Sequence, residues 1–135
     1  MNMVRPYDLL ANPCMIRVQA PRSGLSVRFA NDKGEELIVG YDEKTKQYYI
    51  DRTRAGKSAF NPEFAARAIA PEKMQADSIW LTIILDRSSV ELFAEQGKTV
   101  LTALCFPESP YTKAFLQYNE GINVKATYAP ALKRK

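Results

Sequence analysis

From Ile79 to Leu104 apolar residues fall on alternate positions, broken only by two short polar interruptions. A period of two is the signature of a strand with one buried face, and no helix can use it. A strand over 79–85 places Ile79, Leu81, Ile83 and Leu85 on one side, and a strand over 90–94 does the same for Val90, Leu92 and Ala94. A turn centred on Arg87-Ser88 then sets Leu85 opposite Val90, Ile83 opposite Leu92 and Leu81 opposite Ala94. Moving that turn to Ser88-Ser89 would bring Asp86 against Glu91, and like charges facing across a ladder are unfavourable. A second turn at Gln96-Gly97 pairs Glu95 with Lys98, Leu92 with Leu101 and Val90 with Ala103. One face of this meander is wholly apolar and has to be core.

The rest of the chain repeats the pattern. Apolar runs return about every ten residues with turn residues between them, the spacing of sandwiches and barrels. Strands are expected near 14–20, 24–30, 36–41, 46–52, 79–86, 89–95, 98–106, 112–118 and 121–129. Asn31-Asp32-Lys33-Gly34 and Asn119-Glu120-Gly121 close two further hairpins. The stretch 53–78, with Gly56, Pro62 and Pro71, reads as a long irregular connection. Within it, Asn61-Pro62-Glu63 could cap a turn of helix through Ala65 to Ile69. With 135 residues, 46% of them hydrophobic, the chain is long enough for one core and short for two. The expectation is an all-β, two-sheet antiparallel β-sandwich of the concanavalin or lectin-like jelly-roll kind, a single domain over 1–135.

Composition removes several kinds of chemistry. Histidine is absent, which takes away the commonest general base and the commonest zinc ligand, and with them any Ser–His or Cys–His nucleophile pair. The six glycines are scattered at turns and make no phosphate loop. The net charge is +4, but the closing Lys133-Arg134-Lys135 supplies three of those charges. No basic stripe interleaved with aromatics remains, so nucleic acid is not an expected partner. No run of about 18 apolar residues exists to cross a membrane as a helix. The opening Met1 to Asp8 lacks the apolar segment of a signal peptide, which leaves the compartment open. Cys14 and Cys105 sit in apolar runs and read as two buried thiols, with a disulfide between them as the alternative. Asp42-Glu43 with Asp51 lacks the spacing of a calcium loop, so no metal or cofactor is expected.

The string Leu85-Asp86-Arg87-Ser88-Ser89-Val90-Glu91-Leu92-Phe93-Ala94, then Gly97 and Val100-Leu101-Thr102 with Phe106-Pro107 beyond, resembles the C-terminal sandwich of glycoside hydrolase family 32, the β-fructosidases. That module carries a D-R-S-S-V-E-V-F hairpin, a glycine turn and a V-L-T strand ending near F-P. Tyr49-Ile50-Asp51-Arg52 with Gly56 is similar to its Y-x-D-R-x-x-x-G segment, and Asn61-Pro62 with Phe64 falls where some fructan-active members have a like loop. The resemblance covers about residues 24–128. Family 32 enzymes place their three carboxylates on an N-terminal five-bladed propeller, in W-M-N-D-P-N-G, R-D-P and E-C motifs. None of these strings occurs here: there is no Asp-Pro, Trp80 is followed by Leu81, and neither cysteine follows a glutamate. The resemblance therefore implies a parent fructosidase and no catalysis by this chain.

The residues with chemical potential divide accordingly. Asp86 and Glu91 are the tempting carboxylate pair, yet the register keeps them apart. Asp86 is expected to accept from the turn amides of Ser88 or Ser89, and the hairpin residues Asp86, Arg87, Ser88, Ser89, Glu91 and Phe93 are read as structural. Glu91 calls for a neighbouring cation or an inter-domain contact, and Asp51-Arg52 could pair with Glu91 or another carboxylate. Tyr48 and Tyr49 point to opposite faces, so one is core; the other, like Trp80, could pack at an interface or stack on a sugar. Trp80, Thr82, Ile84, Glu91, Phe93, Val100 and Leu104 form a face too apolar for ordinary solvent exposure, to be covered by the chain itself or by a docking partner. Trp80, Tyr49, Asp51 and Arg52 are thus the candidates for interface or sugar contact. Two roles follow. One is an ancillary module that stabilises the propeller of the same parent chain or an oligomer such as a homodimer. The other is a lectin-like module that grips fructan directly.

Overall fold

A computed structural model describes residues 2–9, 13–55 and 67–130. Eleven strands run in chain order through these residues. They are β1 (Asn2–Asp8), β2 (Cys14–Pro21), β3 (Leu25–Ala30), β4 (Glu36–Asp42), β5 (Gln47–Arg54), β6 (Arg67–Pro71), β7 (Ser78–Leu85), β8 (Ser89–Ala94), β9 (Thr99–Leu104), β10 (Lys113–Asn119) and β11 (Lys125–Pro130). They form two antiparallel sheets, the first ordered β1-β10-β3-β4-β5-β6 and the second β11-β2-β7-β8-β9. This is the expected two-sheet sandwich.

The alternation along each strand decides the packing. Buried residues occupy every second position of β2, β3, β7 and β8. Phe29, Leu37, Val39, Ile50, Val90 and Leu92 are completely enclosed, each contributing about 1.5–3 kcal/mol of burial. The β7–β8 hairpin adopts the expected register, with Leu85 opposite Val90, Ile83 opposite Leu92 and Leu81 opposite Ala94. β9 follows with Leu92 opposite Leu101 and Val90 opposite Ala103. Leu101 is only half-buried, because β9 is the outermost strand of its sheet. Tyr48 is the core member of its pair and lies against Tyr41, ring centroids 5.1 Å apart. Cys14 and Cys105 are buried free thiols, and burial pushes each up to about 11.

Two strands were not legible in the sequence. β1 is an outermost strand with mostly exposed residues and a central Pro6, so it lacks the apolar alternation that marks a strand. β6 occupies Arg67–Pro71, inside the expected irregular connection, and pairs with β5 from Asp51 opposite Arg67 to Gln47 opposite Pro71. The expected helical turn is therefore wrong over Arg67–Ile69; its earlier part, 61–66, lies outside the described residues. β11 begins at Lys125 rather than 121, because Val124 leaves the ladder to fill the core.

Two polar devices hold the corners. Arg22 grips the carboxylate of Glu72 with both terminal nitrogens, and the Tyr41 hydroxyl donates to the same carboxylate. The Glu72 side chain is only 2% exposed, so this pairing supplies what water no longer can. Arg22 Nη1 also donates to the Tyr41 oxygen at 2.8 Å. At the β8–β9 turn, Glu95, Gln96 and Gly97 all adopt positive φ, and the last ladder pair is Ala94 with Thr99, which leaves four residues in the loop. Glu95 Oε1 accepts from the amides of Lys73 (2.8 Å) and Met74 (2.7 Å), while Oε2 accepts from the buried Thr99 hydroxyl. The segment after β6 is thereby fastened to the turn.

Candidate functional site

Alternation that sends Leu81, Ile83 and Leu85 inward sends Trp80, Thr82 and Ile84 outward, beside Glu91 and Phe93 of β8 and Val100, Thr102 and Leu104 of β9. Trp80 is 58% exposed, Val100 47% and Leu104 49%; Ile84 and Phe93 are half-buried. Covering of this face by the chain itself thus fails for Trp80 and Val100 among the described residues. A hollow of about 240 Å³ opens beside Trp80, walled by Met74, Asp77, Ser78, Glu95 and Gln96.

Asp86 and Glu91 are not a pair. Glu91 lies opposite Ile84 on one side and Thr102 on the other. Asp86 stays in the turn, where its carboxylate accepts from the Arg87 amide at 2.7 Å and its own amide donates to the Ser89 carbonyl at 2.8 Å. The turn partner is therefore Arg87 rather than Ser88 or Ser89, since the side chain folds back on the next residue. Arg87 and Ser88 are exposed and Ser89 is half-buried.

The other candidates separate along β5. Tyr49 and Asp51 face outward from the first sheet, while Arg52 has the opposite parity and reaches the second sheet. Arg52 Nη1 donates to the Leu104 carbonyl at 3.2 Å. Asp51 meets Arg67 at 4.0 Å and accepts from the Thr53 amide at 2.9 Å. Arg67 lies over the Tyr49 ring, 4.0 Å from its centroid. Burial pushes the Tyr49 hydroxyl up from its ordinary range, and Gly40 stands between Tyr49 and Ser26 in the ladder. Ser26 Oγ in turn donates to Gln117 Oε1 at 3.3 Å. Trp80 and Tyr49 thus stand on opposite outer faces of the sandwich, and the candidates form no single site. Arg67, Ser26 and Gln117 were missed in the sequence because each is an ordinary outward polar residue of a strand; only the pairing of β6, β5, β3 and β10 brings them together.

Comparison with known proteins decides the family. The model for the C-terminal region of glycosyl hydrolases family 32 matches residues 12–131. The chain belongs to this family. This family 32 C-terminal domain is 37% identical over 106 residues to the extracellular exo-inulinase of Aspergillus awamori, covering 76% of the chain and 19% of that enzyme. It is 34% identical over 120 residues to the levanase of Bacillus subtilis (strain 168), covering 85% of the chain and 18% of that enzyme. The crystal structure of the Aspergillus awamori exo-inulinase superposes on 94% of the chain with a TM-score of 0.80 at 28% identity, and the match takes up 26% of that structure. The chain therefore spans less than a fifth of the length of these sequence relatives.

Proposed function

We propose that this domain is a non-catalytic module of a larger β-fructosidase, packed against a catalytic propeller through the outer face of the second sheet. The parent enzyme would hydrolyse β-fructofuranosyl bonds in fructans or sucrose, since the relatives named above are an inulinase and a levanase. Most of each relative's length lies outside the region matched here, so a large neighbour is available to cover a face of the sandwich. The observation that carries the reading is the exposure of Trp80, Val100 and Leu104 on one sheet face. Each large apolar side chain left in water forgoes about 1.5–3 kcal/mol, and apolar surface gathered on one face marks an interaction site. The first sheet offers a poorer docking face, because its outward side is polar: Asp51 pairs with Arg67 over Tyr49, and Ser26 with Gln117.

The test is a chimera in which this chain replaces the C-terminal domain of the Aspergillus awamori exo-inulinase. Thermal inactivation, and Trp80 emission taken as the difference from a Trp80→Phe chimera, are then compared with those of Val100→Asp and Leu104→Asp chimeras. The proposal expects a stable enzyme with shielded Trp80, and inactivation at lower temperature in both aspartate variants. Equal stability of all three chimeras, with Trp80 still quenched by a soluble quencher, would overturn it. If sedimentation of the isolated chain instead gives a dimer broken by Val100→Asp, a second copy is the partner and the propeller is not.

A further inference from the structure

We propose that the outer face of the first sheet carries a binding site for a neutral saccharide, in the groove between Gln117–Asn119 and Asp42–Lys44. The choice of fructan as that saccharide rests on the function proposed above; the site itself rests on its own geometry. The groove is an open hollow of about 460 Å³ across the ends of β10, β3 and β4, with Asn2 on one side and Tyr49 and Arg67 on the other. That volume is in the range of small-molecule sites, about 300–1,000 Å³.

The groove has a fixed wall. Asp51 pairs with Arg67 and Arg67 covers the Tyr49 ring at one end, while Ser26 donates to Gln117 at the other. These contacts lie on the outward side of the sheet, across β5–β6 and across β3–β10. The Ser26 bond holds the Gln117 carbonyl oxygen and leaves the amide NH₂ as donor. Asn119 Nδ2 donates to Ser23 Oγ at 2.7 Å, which leaves the Asn119 carbonyl oxygen as acceptor. Asp42 Oδ1 accepts from the Lys44 amide at 2.9 Å, leaving its second oxygen as another acceptor. Side chains already positioned by their own hydrogen bonds lose little freedom when a ligand arrives.

Donor and acceptor groups side by side suit hydroxyls, each of which donates once and accepts as well. Asp42 and Glu43 are balanced by Lys44 and Arg67 among the lining residues. The groove thus favours neither a phosphate nor a cation, and a neutral polyol fits its charge. Arg67 occupies the face of Tyr49, so recognition here works through polar contacts rather than ring stacking. A β-fructofuranosyl unit meets that condition, since its five-membered ring with two hydroxymethyl arms presents hydroxyls and little flat apolar surface.

Calorimetric titration of the chain with levan- and inulin-derived oligosaccharides tests the site, with malto-oligosaccharides alongside. The expected result is saturable binding that weakens about tenfold in Gln117→Ala and in Asp42→Asn, the loss of roughly one hydrogen bond. Thermal midpoints should stay unchanged, and Trp80→Ala should bind as the unmodified chain does. Binding only of malto-oligosaccharides, lost in Gln117→Ala, would uphold the groove and remove the fructan reading. Binding lost in Trp80→Ala but kept in both groove variants would overturn the proposal, as would the absence of binding by folded protein to every sugar.

Discussion

Glu91 stands opposite Ile84 across the β7–β8 ladder, while Asp86 remains in the turn with its carboxylate on the Arg87 amide. The two acids of the signature hairpin therefore do not face a common substrate position. Glycoside hydrolysis needs two carboxyl groups flanking one bond, about 5–5.5 Å apart in retaining enzymes and about 6.5–9.5 Å in inverting ones. The isolated chain should release no fructose from sucrose, inulin or levan. Turnover by purified protein that disappears in Asp86→Ala or Glu91→Ala would refute this.

Ile83 and Leu92 are opposite each other and fully enclosed between the sheets. Truncating either to alanine leaves a cavity that close-packed neighbours fill only in part, at a cost of about 2–5 kcal/mol. Urea unfolding at neutral pH checks this. A loss below about 1 kcal/mol would mean that the surrounding core is loosely packed.

Gly40 lies opposite Ser26 across the β3–β4 ladder. A Cβ there would lie 2.4 Å from the Leu25 carbonyl oxygen and 2.9 Å from the Ser26 Cα. Backbone cannot move aside as a side-chain tip can, so Gly40→Ala should destabilise by about 1–3 kcal/mol or more. Because Ser26 also donates to Gln117, this variant should weaken any ligand of the groove as well. An unchanged unfolding midpoint would show that the strands separate freely.

Glu95 gives a pH dependence of known sign. Burial alone pulls its carboxyl up, but the Thr99 hydroxyl and the Met74 and Lys73 amides outweigh this, and the net shift is downward. A carboxyl lowered in the folded state stabilises above its unfolded value, about 4.3, and loses that contribution as pH falls through the folded value. Glu95→Gln should therefore unfold more readily than the unmodified chain at pH 5–7, with the difference shrinking below about pH 4. Chemical unfolding midpoints across that range provide the measurement, and a gap that widens in acid would contradict it.

The sandwich was legible because its central strands obey one rule without exception: inward residues of β7 and β8 are apolar and the charge conflict between Asp86 and Glu91 leaves one register. Outermost strands escape that rule. Asn2–Asp8 and Arg67–Pro71 have neighbours on one side only, so neither needs a continuous apolar face, and tertiary pairing rather than local pattern made them strands. The candidate positions were legible as residues but not as neighbours. Tyr49 and Asp51 share a face by parity alone, whereas Arg67 joins them only through β6, a strand the sequence did not announce. Glu95 read as one more polar hairpin residue; its clamp on Lys73 and Met74 depends on where the segment after β6 passes.

The four outermost strands have a consequence for how the molecule keeps to itself. An open strand offers its unused amides and carbonyls to any passing chain, the starting point of fibrous assembly. Pro6 stands in the middle of β1, Pro71 closes β6 and Pro130 closes β11, and a proline on such a strand removes a donor from the row. β9 has no proline, but its last carbonyl, that of Leu104, is taken by Arg52. Like β1 with Met3 and Val4, β9 exposes two large apolar side chains, Val100 and Leu104, and unlike β1 it has no proline among them. When the domain is stored at high concentration without a neighbour, Thr99–Leu104 is the strand along which copies should begin to stack, and Arg52 is the residue that delays them.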